Sequence, residues 1–430
     1  MRVLIYSQIF PFPPQHGAHH RIRQLIRYFL SRSCEVHLLC HSCTWGNPFD
    51  PDAVDLNITA DLIRFPAWGH KVDTAWKRIL GLREHSIVSK VAFNRVLRHL
   101  APDIILMNYA HSMSLLPRRA PATVVVDTHD FLTVNRHLSI KARALLDEQK
   151  YEFVPLKSVV DEFLCDPESE VSEEAESLNK ADLILAISEY EGRIFQAQTK
   201  RQVQIFNYRA EGMAVAPGPH DGLGIMPIGT GDNPHNILGA YCIDRAMRSL
   251  SPTQTVVTGV GRAAREMRLG SWCEQTGHVA NYFDVIRRFG FGVCPAFWGT
   301  GAQIKQYEFA ELGMPIVAYR WMVDSELWVD GENCLLADDP GAFAERICSM
   351  ASSPKLLEGL REGAKLLKPR VAERLARQEG DLDCRLGLRA AACLDGTERQ
   401  KSRSLTPNRE KLGRWRRGVG SSTMPISQRQ

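Results

Sequence analysis

The sequence predicts an α/β protein built from two doubly wound domains that face each other across a cleft. Short apolar runs alternate with amphipathic helical segments, and the alternation starts again after a segment rich in Pro and Gly. The 430 residues suffice for two domains and a tail. We predict a first domain over 1–210, a second over 211–367, a C-terminal helix over 368–394 and a basic disordered tail over 395–430.

The first domain opens with a strand, a loop, a helix and a second strand. Val3–Tyr6 is a short apolar run, and a loop rich in Pro and Gly follows it up to Gly17. The next segment has apolar residues at i, i+3, i+4, i+7 and i+8, which predicts an amphipathic helix. These positions are Ile22, Leu25, Ile26, Phe29 and Leu30, and the second strand is Val36–Leu39.

Later apolar runs continue the pattern in both halves. Buried parallel strands read as near-continuous Val, Ile and Leu runs. In the first domain these runs are Ile104–Met107, Thr123–Asp127, Leu183–Ile187 and Val203–Phe206. In the second domain the strands are Gly224–Ile228, Thr255–Thr258, Gly292–Pro295 and Pro315–Tyr319, and the helices are Asn236–Leu250, Gln303–Leu312, Pro340–Met350 and Pro354–Leu367.

Charge and composition argue against several classes of protein. The formal net charge is +4, but the tail over 395–430 holds nine Lys/Arg and three Asp/Glu, so the body is slightly acidic and nucleic acid is not a predicted partner. No apolar run is long enough for a transmembrane helix, and the N-terminus does not resemble a secretory signal. Eleven scattered cysteines fit a reducing compartment, so we predict a cytoplasmic location.

The strongest local signal is the segment Trp298–Ala318, which reads as strand, glycine loop, helix, glycine stop and strand. Gly299 and Gly301 allow a close backbone approach to a ligand. The free N–H groups of the helix that starts near Gln303 attract anions. Lys305 adds a full positive charge there for a diphosphate, and a carboxylate at Glu308 can accept hydrogen bonds from ribose hydroxyls. The alternative is a surface helix with an i, i+3 Lys–Glu pair, but the position after a strand end favours a ligand.

This segment resembles the nucleotide-sugar signature of GT-B glycosyltransferases, in particular the glycosyltransferase family 4-like enzymes (glycosyl transferases group 1). Four further segments resemble the same family and appear in its order: Met1–Gly17, Ala181–Glu189, Asp330–Asn333 and Leu336–Pro340. The resemblance implies two Rossmann-like domains and a donor held mainly by the second. It implies donor-binding roles for Gly17, Gly299, Thr300, Gly301, Gln303, Lys305 and Glu308, of which Lys305 and Glu308 would also be catalytic.

The chain also departs from the family pattern. Many members carry two glutamates in the pattern E-x7-E, and here Glu308 matches the second while Thr300 takes the place of the first. Any donor contact of that first glutamate is therefore open. Arg262 and Arg265 are candidates for the arginine that usually lies beside the diphosphate, with an exposed helix arginine as the alternative for each.

Polar residues follow the strand Thr123–Asp127, at an edge where α/β sheets place ligands. Asp127 and Asp130 are candidates on the acceptor side. His129 is a catalytic candidate, because similar enzymes place a histidine on this edge and its imidazole can relay the proton of an acceptor. The alternative is an aspartate that only caps the next helix.

Three weaker signals have simple structural explanations. The histidines His16, His19 and His20 are close in sequence but lack a carboxylate partner, so we predict no metal site. Gly259–Ala264 matches GxGxxA, but a strand-to-helix turn explains it. Asp50 and Asp52 form a DxD in a Pro-containing turn.

The resemblance implies transfer of a hexose-type sugar from a UDP- or GDP-sugar co-substrate to a glycan or lipid-linked acceptor, with no other cofactor. It suggests retention of configuration and a role in bacterial surface polysaccharide or lipopolysaccharide assembly. A nucleotide-sugar epimerase of GT-B fold and a non-catalytic nucleotide-sugar-binding homologue are the alternatives. The basic tail, with Arg414–Arg417, either contacts anionic lipid at the inner face of the membrane or is simply solvated.

Overall fold

A computed structural model describes residues 1–14, 17–46, 48–63, 87–165, 171–210, 222–229, 233–252, 254–279 and 282–388. Several predicted features lie outside these residues. They are His16, most of the Pro- and Gly-rich linker, the end of the predicted C-terminal helix and the basic tail over 395–430. No helix in the described ranges combines the length and the apolar character needed to cross a bilayer.

The first half of the chain forms a seven-stranded parallel sheet in the order β3-β2-β1-β4-β5-β6-β7. The order reverses between β1 and β4, and at such a switch point the loops at the carboxyl ends of the strands diverge and leave a crevice. The strands are β1 Arg2–Phe10, β2 Glu35–Gly46, β3 Thr59–Ile63, β4 Ile104–Asn108, β5 Thr123–Asp127, β6 Leu183–Ala186 and β7 Gln202–Ile205.

Helices of the first half connect these parallel strands. The helix predicted after β1 is present, and its apolar stripe faces the core, with Ile22 and Leu25 fully buried. The helices are α1 Gly17–Ser31, α2 Ile87–Leu100, α3 Leu132–Asp147, α4 Leu156–Cys165, α5 Val171–Leu178 and α6 Glu189–Gln198.

The second half forms a six-stranded parallel sheet in the order β10-β9-β8-β11-β12-β13, with its switch point between β8 and β11. Its strands are β8 Gly224–Pro227, β9 Val257–Val260, β10 Cys273–Thr276, β11 Phe291–Cys294, β12 Ile316–Tyr319 and β13 Cys334–Ala337. Its helices are α7 Pro234–Leu250, α8 Arg262–Glu266, α9 Tyr282–Ile286, α10 Ile304–Glu311, α11 Pro340–Ser352, α12 Pro354–Lys365 and α13 Leu367–Leu386.

The predicted fold class is confirmed: the chain contains two doubly wound parallel sheets with helices. The strand predicted at Thr255–Thr258 begins two residues later, at Val257. The sequence analysis did not predict strands β3, β10 and β13 or helices α2, α3, α4, α6 and α9. The exact domain boundaries stay a prediction.

The last helix, α13, returns to the first half of the chain. The carboxylate of Asp383 accepts hydrogen bonds from Arg32 Nε at 2.9 Å and from the Tyr28 hydroxyl at 2.7 Å, both on or next to α1. Leu382 and Leu386 join the same apolar cluster as Ile22. Residues from the end of the described chain therefore complete an apolar cluster of the first half.

Arg374 of α13 connects the two halves directly. Its guanidinium pairs with Glu189 at 2.7 Å in the first half and with Asp324 in the second. Arg374 is almost completely buried, and the hydroxyl of Tyr307 on α10 donates to the same Asp324 carboxylate at 3.4 Å. A third carboxylate, that of Glu326, lies 3.6 Å from the same guanidinium. A buried cation with three carboxylate partners fixes α13 against both halves, because breaking such pairs leaves a desolvated charge.

Candidate active site

The first turn of α10 places two opposite charges beside each other. Gln303 is the N-cap residue and makes no side-chain capping hydrogen bond, while Lys305 and Glu308 are half-buried on the helix. No ion pair within 4.0 Å joins Lys305 to Glu308 in the part of the chain that the structure describes. The Lys–Glu pair that was the alternative to a ligand site is thus not formed.

Burial changes the acidity of both groups. Burial lowers the pKa of the Lys305 amine, and the nearby Glu308 carboxylate opposes this effect. Burial raises the pKa of Glu308 to about 7, with Lys305 acting in the opposite direction. Two charges that lose solvent without gaining a close protein partner have unmet interactions, which a polar ligand can supply.

Helices α1 and α10 begin next to each other, although they belong to different halves. A Cβ on Gly17, the first residue of α1, would lie 1.9 Å from Cδ1 of Ile304, the first residue of α10. Each helix presents the positive end of its dipole and unpaired N–H groups at this point. The amine of Lys305 lies at the edge of the second sheet, 3.8 Å from the position a Cβ on Gly229 would take, in the loop after β8. Positive electrostatic potential from two helices and one amine therefore converges here.

The predicted glycine loop before α10 also lies at this point. Gly299 has φ 152°, a conformation that side chains rarely adopt. The Gln303 amide does not point freely outward, because its Nε2 donates to the carbonyl of Ala296 at 3.2 Å and its Oε1 accepts from Gln306 at 3.1 Å. The loop is thus braced from within its own domain.

The carboxyl end of β5 carries a buried ion pair. Asp127 is fully buried and accepts from Arg21 of α1 at 2.7 Å. Burial alone would raise the pKa of Asp127, but Arg21 and then His129 hold it down at about 2. Arg21 also donates to the carbonyl of Asn207 at 3.1 Å. Asp127, predicted as an acceptor-side candidate, is therefore occupied by protein groups.

His129 is held by three neighbours. Its Nε2 lies 2.8 Å from Asp127 Oδ2 and 2.6 Å from Asn108 Nδ2. Its ring centroid lies 4.5 Å from that of Tyr109, at a tilt of 34°. Both His129 (φ 53°) and Tyr109 (φ 68°) adopt left-handed backbone conformations, which cost a non-glycine residue about 1 kcal/mol or more and often occur at functional sites. Since both polar contacts use Nε2, Nδ1 is the ring nitrogen left for a substrate.

Asp130, the other acceptor-side candidate, contacts the second half of the chain. Its Oδ1 accepts the hydroxyl of Thr300, and its Oδ2 accepts the amide of Asn135. Burial raises the pKa of Asp130 to about 7, although the hydrogen bond from Thr300 acts against this rise. Thr300 itself is 1% exposed, so its side chain faces the first half and is closed off from solvent.

The structure also shows where the weaker signals lie. Arg262 and Arg265 are exposed on α8, which is the alternative the sequence left open for them. Gly261 has φ 119° and packs against the backbone of Gly229, so the GxGxxA segment is a strand-to-helix turn. Asp50 caps a short 3-10 helix and accepts from the backbone of Asp52, which makes the DxD a turn.

Sequence reasoning missed four residues of this site: Arg21, Asn108, Tyr109 and Glu191. Arg21 gave a signal, because it lies four residues before Leu25 on the apolar face of α1. Asn108 gave a weaker one, as the polar residue that ends the apolar strand β4. Burial raises the pKa of Glu191 well above its ordinary range, and the nearby Asp130 adds to this effect. Nothing in the local sequence distinguished Tyr109 or Glu191.

Comparisons with known proteins relate part of the sequence to a family and the whole structure to a fold. Residues 235–353 match the model of the family described as glycosyl transferases group 1. This part of the second half is therefore similar to group 1 glycosyltransferases. The matched residues include Gly299, Thr300, Gly301, Lys305 and Glu308.

Solved structures show the fold of most of the chain. The sucrose-phosphate synthase of Thermosynechococcus elongatus superposes with a TM-score of 0.61 at 15% identity, over 90% of this chain and 99% of its own. Anabaena HepE in complex with UDP and glucose superposes with a TM-score of 0.59 at 12% identity, over 90% of this chain and 99% of its own. The lipopolysaccharide outer core galactosyltransferase WaaB superposes with a TM-score of 0.55 at 11% identity, over 89% of this chain and 100% of its own. The fold is GT-B, and no curated protein matches the sequence.

Proposed function

We propose that this GT-B protein is a glycosyltransferase that moves a hexose from a UDP- or GDP-sugar to a hydroxyl acceptor. One observation carries the proposal. Lys305 and Glu308 are half-buried without an ion pair between them in the described residues, beside the adjoining N-termini of α1 and α10. This arrangement suits a ligand that has both a pyrophosphate and a ribose.

The proposed chemistry follows from where charge develops. As the glycosidic bond to the donor breaks, the nucleoside diphosphate leaves and gains negative charge. The Lys305 ammonium and the N–H groups at the start of α10 and α1 stabilise that charge in a place with little water. The Glu308 carboxylate accepts hydrogen bonds from the two ribose hydroxyls. Gly17, Gly299 and Gly301 keep the backbone close to the donor.

His129 has the complementary role on the acceptor side. Asp127 and Asn108 engage its Nε2 and hold the ring, so Nδ1 faces the sugar or the acceptor. The imidazole then orients a donor hydroxyl or takes the proton of the attacking acceptor. Closure of the two domains excludes water that would otherwise hydrolyse the donor.

The names of two structural neighbours suggest substrates. HepE was solved with UDP and glucose, and WaaB is a galactosyltransferase of the lipopolysaccharide outer core. We infer a UDP-hexose donor first, retention of configuration, and an acceptor that is a glycan or lipid-linked glycan in bacterial surface polysaccharide assembly. This acceptor implies a cytoplasmic protein that meets the inner face of the membrane, with the basic tail as the contact.

The donor is identified by thermal shift with UDP, GDP, ADP and dTDP sugars. A ligand that binds only the folded protein raises the melting temperature. Lys305→Met is expected to remove the shift, while Lys355→Met, which changes an exposed lysine of α12, keeps it. An unchanged shift in the Lys305 variant would defeat the assignment of the pyrophosphate site.

Products formed from the donor alone separate the alternatives. Without an acceptor, a transferase releases free sugar and nucleotide at most by slow hydrolysis of the donor. An epimerase instead produces a new sugar nucleotide without any acceptor. Tight binding with no turnover of any donor, with or without glycan acceptors, would identify a non-catalytic homologue.

A further inference from the structure

The loop over 299–301 of the second domain is hydrogen-bonded to the turn that follows β5 in the first domain. The Thr300 hydroxyl donates to the Asp130 carboxylate and accepts from the backbone N–H of Phe131 at 3.3 Å. The Thr300 carbonyl accepts from the hydroxyl of Ser188 at 2.9 Å. Every polar atom of the Thr300 side chain and its carbonyl thus binds the opposite domain.

Gly301 brings the two backbones into contact. A Cβ on Gly301 would lie 2.7 Å from the carbonyl oxygen of His129, and real Cβ atoms almost never come so close to another heavy atom. His129 therefore lies between two fixed points, its side chain on Asp127 and its own carbonyl against the donor loop. Three residues after Gly301, α10 begins and carries Lys305.

We propose that Thr300 is a positioning residue: its hydrogen bonds to Asp130 and Phe131 lock the donor loop to the His129 turn and so set the distance between the diphosphate site and His129. This inference rests on the proposed function for its kinetic consequence. At the position where relatives of this family carry a glutamate, this chain has a side chain that points into the other domain. Thr300 then acts on the reaction through His129 and contacts no substrate through its side chain.

The physical reason for an effect on rate is geometric. The two hydrogen bonds of the Thr300 hydroxyl join the segments that follow β5 and β11, and ionisation of Asp130 strengthens the bond to its carboxylate. Reacting groups tolerate little misplacement, since a shift of about 1 Å can cost about 100-fold in rate. Binding of the nucleotide depends on Lys305 and Glu308 within one domain, so it is expected to be much less sensitive to Thr300.

The test compares Thr300→Val, which removes only the hydroxyl, with Thr300→Ser, which keeps it. Thr199→Val is the matched control, because Thr199 is a buried threonine whose hydroxyl bonds to the Phe195 carbonyl, away from the site. With the UDP-sugar that turns over best, T300V should lower kcat about 10- to 100-fold with donor KM and UDP affinity changed less than about threefold. T300S and T199V should stay near the wild type.

A second readout does not need turnover. Diethyl pyrocarbonate modifies accessible histidines, and peptide mass spectrometry gives the rate at His129 relative to the exposed His278. T300V should raise the relative rate at His129 several-fold, whereas T300S and T199V should not. If the wild type turns over neither UDP- nor GDP-sugars, the proposed function fails, but this measurement still decides the positioning role.

A double-mutant cycle tests the named partner. Asp130→Ala should reproduce the T300V effects, and the double variant should lose clearly less than the sum of the two, because both remove the Thr300–Asp130 hydrogen bond while D130A also removes the contact with Asn135. Additive losses, or a T300V protein that matches T199V in kcat and in His129 reactivity, overturn the proposal. Should T300V and D130A fail to fold, T300S and Asp130→Asn must both retain wild-type His129 reactivity, since each keeps a hydrogen bond between the two positions.

Discussion

Arg21 and Asp127 form an ion pair of 2.7 Å in which both side chains are completely buried. The pair joins the first helix to the end of the interior strand β5 and so places His129 next to the crevice. Buried pairs of this kind add little net stability, but losing one partner leaves an unpaired charge away from water. The pair therefore makes the site geometry sensitive to either residue.

Asp127→Asn is expected to lower the free energy of unfolding by about 3–5 kcal/mol, because Arg21 would keep a buried charge without a carboxylate. The chain offers a matched control in Arg23 and Asp55, a second Arg–Asp pair whose arginine lies on the same helix and whose aspartate is 56% exposed. Asp55→Asn should cost at most about 1 kcal/mol. Urea unfolding followed by circular dichroism measures both, and equal losses would contradict the difference in burial.

Acid should weaken the same contact. The pKa of Asp127 is about 2 in the folded protein, below the ordinary value of 3.8. A carboxylate whose pKa is lowered by folding stabilises the fold at pH values above its unfolded pKa. This stabilisation, about 2 kcal/mol in the free energy of unfolding, is lost as the pH falls from about 4 through 2. Urea unfolding at pH 5 and pH 2.5 should show this loss in the wild type. In Asp127→Asn this part of the pH dependence should be absent.

Nucleotide affinity should rise with pH around neutrality. The pKa of Glu308 is raised to about 7, and its ionised form is the better acceptor for ribose hydroxyls. Ligand binding should therefore strengthen about tenfold between pH 6 and pH 8 if the bound carboxylate stays ionised. At higher pH, affinity should fall as Lys305, whose pKa is lowered, loses its proton. Titration calorimetry with a UDP-sugar, whose diphosphate does not titrate between pH 6 and pH 8, should show the rise in the wild type and a flat response over this range in Glu308→Gln.

Arg374→Met should destabilise the protein because it leaves the buried carboxylate of Asp324 without its cation and removes the ion pair between α13 and Glu189. We expect a loss of about 3–5 kcal/mol in the free energy of unfolding. Arg370→Met, at an exposed position of the same helix, should change it by less than about 0.5 kcal/mol. A similar loss in both variants would indicate that the helix itself, and not the cross-domain ion pair, was damaged.

Two helical glycines should respond to alanine in opposite ways. A Cβ on Gly239 of α7 would lie 1.9 Å from the carbonyl oxygen of Pro295, so Gly239→Ala must push the helix from the sheet. A Cβ on Gly359 of α12 meets no atom within 4 Å, and alanine there favours the helix by about 0.5–1 kcal/mol. Melting temperatures should therefore fall for G239A and rise for G359A.

The sequence determined the two parallel sheets and most of their helices, because apolar periodicity and glycine punctuation act locally. Val3–Tyr6, the stripe from Ile22 to Phe29 and the strand before Asp127 were predicted where they occur. It also indicated that Lys305 and Glu308 share the first turns of a helix, since that depends only on spacing.

Only the tertiary structure decided which charges are paired and which are left open. Arg21 and Asp127 are 106 residues apart, and Thr300 lies 170 residues from Asp130, so no local pattern could join them. The Arg21–Asp127 contact depends on how α1 packs against the first sheet, and the Thr300–Asp130 contact depends on how the two sheets pack at their carboxyl edges. That packing made Asp127, Asp130 and Thr300 partners of other protein groups, while Lys305 and Glu308 were left half-buried with no ion pair between them in the described residues.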